Sequence, residues 1–338
     1  MAVVGMEGFD HLSITQLLAK QGRSGVTNPI QTGRLGGQAI RTGGNQTGLA
    51  FSGFSTTSVI AGFAYKFSNV LVANLTSRRV MFRAGVTNVV GLVTASSGGD
   101  IVLRLIDSAA ATIASGTTPI IIDIWYYVEV RVVISATVGS VELRLNGLSS
   151  AELSATGLNT GTSPIDSVAW GATSVGTHVT DVDDLYIVDT TTGSSPTNTF
   201  LGDCRVETLP PTGNGANTAW TGAFGDWDDS TSHNTDTDYV SSSTPGDRET
   251  STLADLAVGT GTIYAVQTDV TARKDDAGAR TIAPVLRISG TNHDGTTTPG
   301  LSTDYVTYVQ TYDRLDPVGN AWSIATVNAM EAGVKEVA

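Results

Sequence analysis

One cysteine in 338 residues excludes an intrachain disulfide and any paired-cysteine metal clip. That residue, Cys204 in FLGDCRV, reads as a small apolar side chain within a strand. Charge is scarce as well, at 15% of the chain, where an ordinary domain carries about 25%. What charge there is leans acid: 19 Lys and Arg stand against 32 Asp and Glu, a net of −13. Nucleic acids and anionic membranes are bound through clustered cations, so neither is an expected partner. No stretch reaches the roughly 18 consecutive apolar residues of a membrane span. The opening MAVVGMEGFD has no basic n-region and no apolar h-region, so no secretory signal is expected.

Chemistry-bearing motifs are missing too. The four histidines, His11, His178, His233 and His293, show no HxH or HExxH spacing. His178 in GTHVTDVDD reads as a loop residue near an acid cluster. No GxSxG elbow and no GxxxxGK phosphate loop occurs. NHDG (292–295) lacks the remaining positions of a calcium loop and reads as a turn.

The place of charge is taken by Thr, Ser and 38 glycines, a mixture that suits short strands and tight turns and starves long helices. With only 10 prolines and 40% hydrophobic residues, such a chain can bury a core. Residues 120–150, IIIDIWYYVEVRVVISATVGSVELRLNGLSS, carry the clearest periodicity. Val128, Val130 and Val132 alternate with Glu129 and Arg131, and Val141, Leu143 and Leu145 alternate with Glu142 and Arg144. Period two between turn signals predicts half-buried antiparallel strands over 126–134 and 140–146, with Val130, Val132, Val141 and Leu143 inside. Asn146-Gly147 is a turn dipeptide. On this reading Glu129 and Glu142 share a solvated face with Arg131 and Arg144, where cross-strand ion pairs form. One aromatic set, Trp125 and Tyr127, is expected to plug the space between two sheets.

Further strands are expected at AYKFSNV, RRVMFRAG, NVVGLVTA, DIVLRLID, SVAWGAT and DDLYIVD. The one helical candidate near the start is ITQLLAK (14–20). Regular short strands without intervening helices indicate β-sandwiches. At about 150 residues per domain the length suggests two. Pro210-Pro211 and GNG mark a boundary, giving domains at 1–210 and 211–338. The second block is also β, at TIYAVQTDVTARK, RTIAPVLRIS, DYVTYVQTYDR and AWSIATVNAMEAGV, with Trp220 and Trp322 in its core. The acidic stretch 225–238, GDWDDSTSHNTDTD, is nearly without aliphatics and is expected at the surface.

The order of these landmarks carries a resemblance. GFDHL, then GRLGGQAIR (33–41), the WYYVEVRV strand with its GSVELRLNG partner, and DDLYIVD resemble a laminin G-like, concanavalin A-like jelly roll. FLGDCRVETLPPTG, DTDYV, AVQTDVTARKDDAGAR and WSIATVNAMEAGVK are similar to a pattern of tailed-phage structural proteins carrying that fold. The resemblance implies an all-β concanavalin A-like sandwich followed by a smaller β-sandwich, in a virion protein made in a host cytoplasm. Independently of it, Gly36-Gly37 suit a tight turn with positive φ.

The cluster DVDD (181–184) is the one candidate site. Asp181 and Asp183 share a strand face, with Asp184 on the other. That pair could supply hard oxygen ligands to Ca²⁺, and jelly-roll relatives hold calcium at a sheet rim, although a calcium site wants six or more oxygens. The competing reading is a solvated strand mouth with Asp in a turn. Retaining glucanases of the concanavalin-like fold carry an E-x-D-x-x-E strand, and no such segment occurs here, so no enzymatic activity and no catalytic residue are expected. The expected protein is a non-enzymatic virion component with no cofactor beyond that calcium. Its expected partners are copies of itself and other virion proteins, with host surface glycan as the alternative and no glycan-contact residue singled out. The segments STTSVIAG (55–62) and 241–256, poor in charge, are expected to serve assembly.

Overall fold

The computed structural model describes residues 3–11, 13–25, 30–43, 48–67, 79–171, 179–192, 198–229, 233, 236–314 and 316–338. His178 lies outside them. Two compact units result. The first takes Met1–Phe9 and Gly22–Val206, and the second takes Asp10–Gln21 and Glu207–Ala338. The change of unit thus falls between Val206 and Glu207, where 210 and 211 were expected. The short Asp10–Gln21 segment, expected in the first domain, lies with the second, so the chain passes between units at three points.

The first unit is a sandwich of two antiparallel sheets. Across one run Leu153–Leu158, Gly139–Leu145, Trp125–Val133, Ser58–Phe67, Val179–Asp189, Gln38–Gly43 and Ile30–Thr32, with Val3–Glu7 also paired to Val179–Asp189. Across the other run Thr112–Ser115, Asp100–Asp107, Thr87–Ser97, Val80–Ala84, Ile165–Trp170, Leu49–Thr56 and Arg23–Ser24. The predicted hairpin is present: Val130 faces Leu143 and Val132 faces Val141, all four buried, and no helix occurs between 120 and 150. Asn146 and Gly147 close that strand with φ of 52° and 70°.

Between the sheets the core is aromatic, but not with the rings expected. Phe63 meets Trp170 of the opposite sheet edge-on at 5.5 Å, and Trp170 meets Phe51 at 5.5 Å. Val128 pairs with Phe63 and so faces this space, which turns Trp125, Tyr127 and Glu129 to the outer face of their sheet. The valines face inward as the alternation predicts; the expectation that fails is that Trp125 and Tyr127 fill the inter-sheet space and that Glu129 is solvated, because the outer face is itself covered. The segment 55–62 also departs from expectation. Thr56, at the end of Leu49–Thr56, and 58–62, in the central Ser58–Phe67 strand, are buried, so their lack of charge reflects the interior.

The second unit pairs Pro211–Thr218, Arg248–Leu253, Glu331–Glu336, Ile282–Ile288 and Thr291–Asp294 in one sheet, and Ala265–Ala272 with Val306–Asp313 in a two-stranded sheet. Leu286, Ile288, Trp322, Val327 and Met330 form one core cluster, against which Val266 and Tyr312 of the smaller sheet pack. Ile282, Leu301, Tyr308 and Val334 form another, with Trp220 against it. The closing segment, expected as strand throughout, contains the helix Ile324–Ala329, capped by Ser323 accepting from the Thr326 amide at 3.0 Å. Glu249, Thr250 and Ser251, inside the 241–256 stretch, are buried as well. In 225–238 no described residue is buried, and 230–232 and 234–235 lie outside the described residues.

Candidate functional site

The outer face of the larger sheet is organised in rows across its strands. In the first row Arg41, Asp181, Lys66 and Trp125 are neighbours on successive strands. Asp181 is fully buried. Its carboxylate receives Arg41 Nε at 2.7 Å and Lys66 Nζ at 3.2 Å, and the same ammonium stands 4.9 Å from the Trp125 ring centroid. Two residues on, the ladder breaks: register shifts between Asp183 and Tyr186, and Asp184 adopts φ of 48°. Such a bulge re-aims side chains. Asp183 accepts the Arg34 amide at 2.7 Å, seating the turn 33–37 on the sheet, and Asp184 accepts Arg34 Nε at 2.9 Å and the Val206 amide at 2.8 Å. Gly36 and Gly37 supply the φ of 99° and 62° that this turn needs.

A non-strand segment, 201–206, lies over the next row. Tyr186 donates its hydroxyl to Glu129, which also accepts the Gly202 amide at 2.9 Å, and the Leu201 amide donates to the Tyr186 oxygen at 3.2 Å. Arg34 closes the other side, donating to Asp203 and, at 2.6 Å, to the Cys204 carbonyl. A Cβ on Gly62 would come within 2.1 Å of the Tyr186 ring, so glycine is what lets that ring lie flat on the strand. Tyr127 stacks on Tyr186 at 6.5 Å between ring centroids and donates its hydroxyl to the Asp184 carbonyl at 3.1 Å.

Burial sets the protonation of this layer. It pushes both tyrosines well above their usual range, and neighbouring carboxylates add to the shift. Burial, then Glu129, Asp203 and Asp184, pushes the Cys204 thiol up to about 12, so it stays a thiol. Burial also raises the Asp184 carboxyl, outweighing the Val206 amide and Arg34.

Several expectations are corrected here. Asp181 and Asp183 are not a solvated strand mouth but buried strand residues, at 0% and 4% exposure. Their oxygens take an arginine, a lysine and backbone amides, and among the described residues no group of three His, Cys, Asp or Glu is placed to hold a metal. Asp184 is not on the far face; the bulge brings it beside Arg34. Glu129 is buried rather than solvated, because the 201–206 segment covers it. The register does set Glu142 opposite Arg131, yet Glu142 pairs with Arg144 of its own strand at 2.7 Å. Cys204 sits in the non-strand segment 201–206 rather than in a strand.

The second unit holds a charged cluster that the sequence did not announce. Asp269 on Ala265–Ala272 receives the Lys20 ammonium and His11 Nε2, the latter at 2.7 Å. The Lys20 side chain has 0% exposure. Burial raises the Asp269 carboxyl, but Lys20 and then His11 outweigh it, and the net position is well below the usual carboxylate range. Asp269 is the one acid in the apolar-alternating VQTDVTA, and Lys20 follows an amphipathic turn; their sequence separation of 249 hides the pairing.

No family model matches the chain, and no characterised protein matches its sequence. Solved structures with a similar architecture include a cellulose-induced protein, at 17% identity over 50% of this chain and 86% of that one, TM-score 0.36. Domain 4 of a GH43 extracellular arabinanase from Geobacillus stearothermophilus, solved with arabinotriose, is similar at 15% identity over 56% and 93%, TM-score 0.39. Peanut lectin is similar at 8% identity over 54% and 96%, TM-score 0.34. At this level the likeness concerns the β-sandwich alone.

Proposed function

We propose that the chain is a non-enzymatic binding and assembly protein, a structural component of a tailed-phage virion that works as a homo-oligomer. The observation that carries this reading is the state of the buried acids on the larger sheet of the first unit. Asp181, Asp183, Asp184, Glu129 and Asp189 are each engaged by cations, hydroxyls or amides of the same chain. A general acid or nucleophile needs an oxygen aimed at substrate; these oxygens fasten turns and covering segments to a sheet. The phage assignment rests on the order of sequence landmarks, and the virion location follows from it.

Assembly is supported by surface chemistry. Ile121, Ile122 and Ile124 are 60%, 41% and 49% exposed, a run of apolar side chains of the kind that a second copy covers. Strand addition is the poorer route. Among the described residues, three of the five edge strands in the first unit are short, at Ile30–Thr32, Thr112–Ser115 and Arg23–Ser24, and short edges resist pairing. The reading expects closed symmetry, trimeric by the phage resemblance, with other virion proteins as partners and neither nucleic acid nor membrane; no described helix is long and apolar enough to cross one.

Light scattering on the purified chain tests this. A closed oligomer that dissociates when Ile122 is changed to Lys supports the reading; a strict monomer at high concentration, with isolated single copies in a particle map, overturns it. Asp181→Asn with Asp183→Asn should leave glycan-cleaving assays at background, and depolymerisation that tracks these residues would overturn the non-enzymatic part.

A further inference from the structure

The fastening of the Asp10–Gln21 arm puts a primary amine against a carboxyl group inside the second unit. Lys20 is placed there by its backbone: it forms a bridge with Thr307, and the Gln21 amide donates to the Thr307 carbonyl at 2.9 Å. Thr307 lies on Val306–Asp313, which pairs with Ala265–Ala272, the strand that carries Asp269. The Lys20 side chain has no exposure, and its Nζ touches Asp269 Oδ2. A nitrogen in contact with a carboxyl oxygen stands one bond length from the carboxyl carbon. That is close to the separation of about 3–3.5 Å from which reacting atoms meet.

The other partners of Asp269 divide between its two oxygens. His11 Nε2 is 2.7 Å from Oδ2, the oxygen that Lys20 also touches, and His11 Nδ1 stands 3.4 Å from the Thr208 hydroxyl. Gln267, two residues along the same strand face, donates its amide to Oδ1 at 2.9 Å, while its own oxygen accepts the Thr311 hydroxyl at 3.5 Å. An ion pair needs no such division. Acyl transfer does: one carboxyl oxygen must leave with protons, and the other must carry negative charge while the carbon is tetrahedral.

We propose that Lys20 and Asp269 condense to an intramolecular isopeptide bond once the second unit has folded. Nζ starts with three protons and keeps one. The first passes directly to Oδ2, which turns the ion pair into an amine and a carboxylic acid. The amine lone pair attacks Cγ and forms the C–N bond, with the negative charge on Oδ1 facing the Gln267 amide. His11 Nε2 takes the second proton from nitrogen and delivers it to Oδ2; the Cγ–Oδ2 bond breaks and one water leaves. No oxidant or co-reactant is consumed. The ion pair is the resting state, and burial, which disfavours both charges, gives access to the neutral pair as a minor state, so the bond forms slowly. The product closes a covalent ring from 20 to 269 and makes the fastening of the arm permanent. This goes beyond the assembly reading and does not depend on it.

Intact-mass spectrometry on the full chain, purified and held at neutral pH, reads the bond as the loss of one water. Tryptic digestion should yield a branched peptide joining Lys20 to Asp269, because trypsin does not cut after an acylated lysine. Lys20→Arg and Asp269→Ala should each keep the full mass, and so should the parent chain held in denaturant. Gln267→Leu, which leaves amine, acid and imidazole in place, should slow the loss about 100-fold, as removal of one oxyanion donor does. His11→Gln should slow it about as much. A folded parent chain that keeps its full mass after prolonged incubation overturns the proposal. So does a water loss that maps to a succinimide at Asp294-Gly295, or to any place other than the branched peptide. Loss at the parent's rate in both Gln267→Leu and His11→Gln would overturn the roles given to those side chains.

Discussion

Both units fasten a segment without strand structure onto a sheet, and they do so with different chemistry. In the first, 201–206 is held by amides donating to Glu129 and Asp184 and by Arg34, a guanidinium that keeps 12% exposure. In the second, the arm Asp10–Gln21 is held by a lysine with no exposure at all, paired to Asp269 and backed by His11. A buried carboxylate that accepts neutral donors sheds little when one donor is lost. A buried ammonium carries a large debt to solvation, which a carboxylate such as Asp269 offsets for Lys20. The second unit should therefore be the more brittle of the two at its fastening.

The largest expected effect follows directly. Asp269→Ala takes a carboxylate from the buried Lys20 ammonium and from His11, and should destabilise the second unit by about 3 kcal/mol, the lower end for breaking a buried pair. Lys20→Met added to that background should recover much of the loss, since an apolar side chain needs no counterion. Hydrogen exchange resolved to peptides separates the units; a loss below ~1 kcal/mol, or one confined to the first unit, would break the comparison.

Next in size is the packing under the first fastening. Gly62→Ala places a methyl within 2.1 Å of the Tyr186 ring, whose hydroxyl serves both Glu129 and the Leu201 amide. Overpacking of this kind costs about 1–3 kcal/mol. Denaturant titration should show a lower midpoint, and exchange should rise over 201–206 first. Arg34→Met comes below it, at about 1.5 kcal/mol for charge-assisted hydrogen bonds partly replaced by water. Its sharper readout is Cys204: with the cover loosened, a thiol reagent should label it faster at fixed pH. Unchanged labelling would mean that Arg34 does not hold the segment.

Much of the first unit was legible because its signal is local. The hairpin around Val130 and Leu143 needs only alternation and a turn dipeptide, and both are contiguous in sequence. Which face of that alternation meets the other sheet is not local. Val128, Val130 and Val132 looked buried and are; Glu129 looked solvated and is not, because Gly202 arrives from 73 residues away to cover it. The acid cluster misled for the same reason. Three aspartates in four positions resemble an exposed site until Arg41, Lys66 and Arg34, from three other segments, are placed around them. Asp269 gave no warning, because a lone acid in a strand carries no pattern.

Titration offers the finest distinction between the two fastenings, because their carboxyls move in opposite directions. Asp269 sits below the usual range, so the folded state holds fewer protons there than the unfolded chain, whose carboxyl titrates near ~3.9. Its contribution is complete above that value and is lost as pH falls toward its own lower pKa. Asp184 sits above the usual range, so between ~3.9 and its folded pKa the folded state holds more protons. Acidifying through that window strengthens the folded state at Asp184 and then weakens it at Asp269. The stability difference between the parent chain and Asp184→Asn should therefore shift in the parent's favour as pH drops from neutral toward ~4. The difference for Asp269→Asn should stay flat over that span and shrink only at lower pH. Parallel slopes for the two variants would show that the two fastenings share one electrostatic design after all.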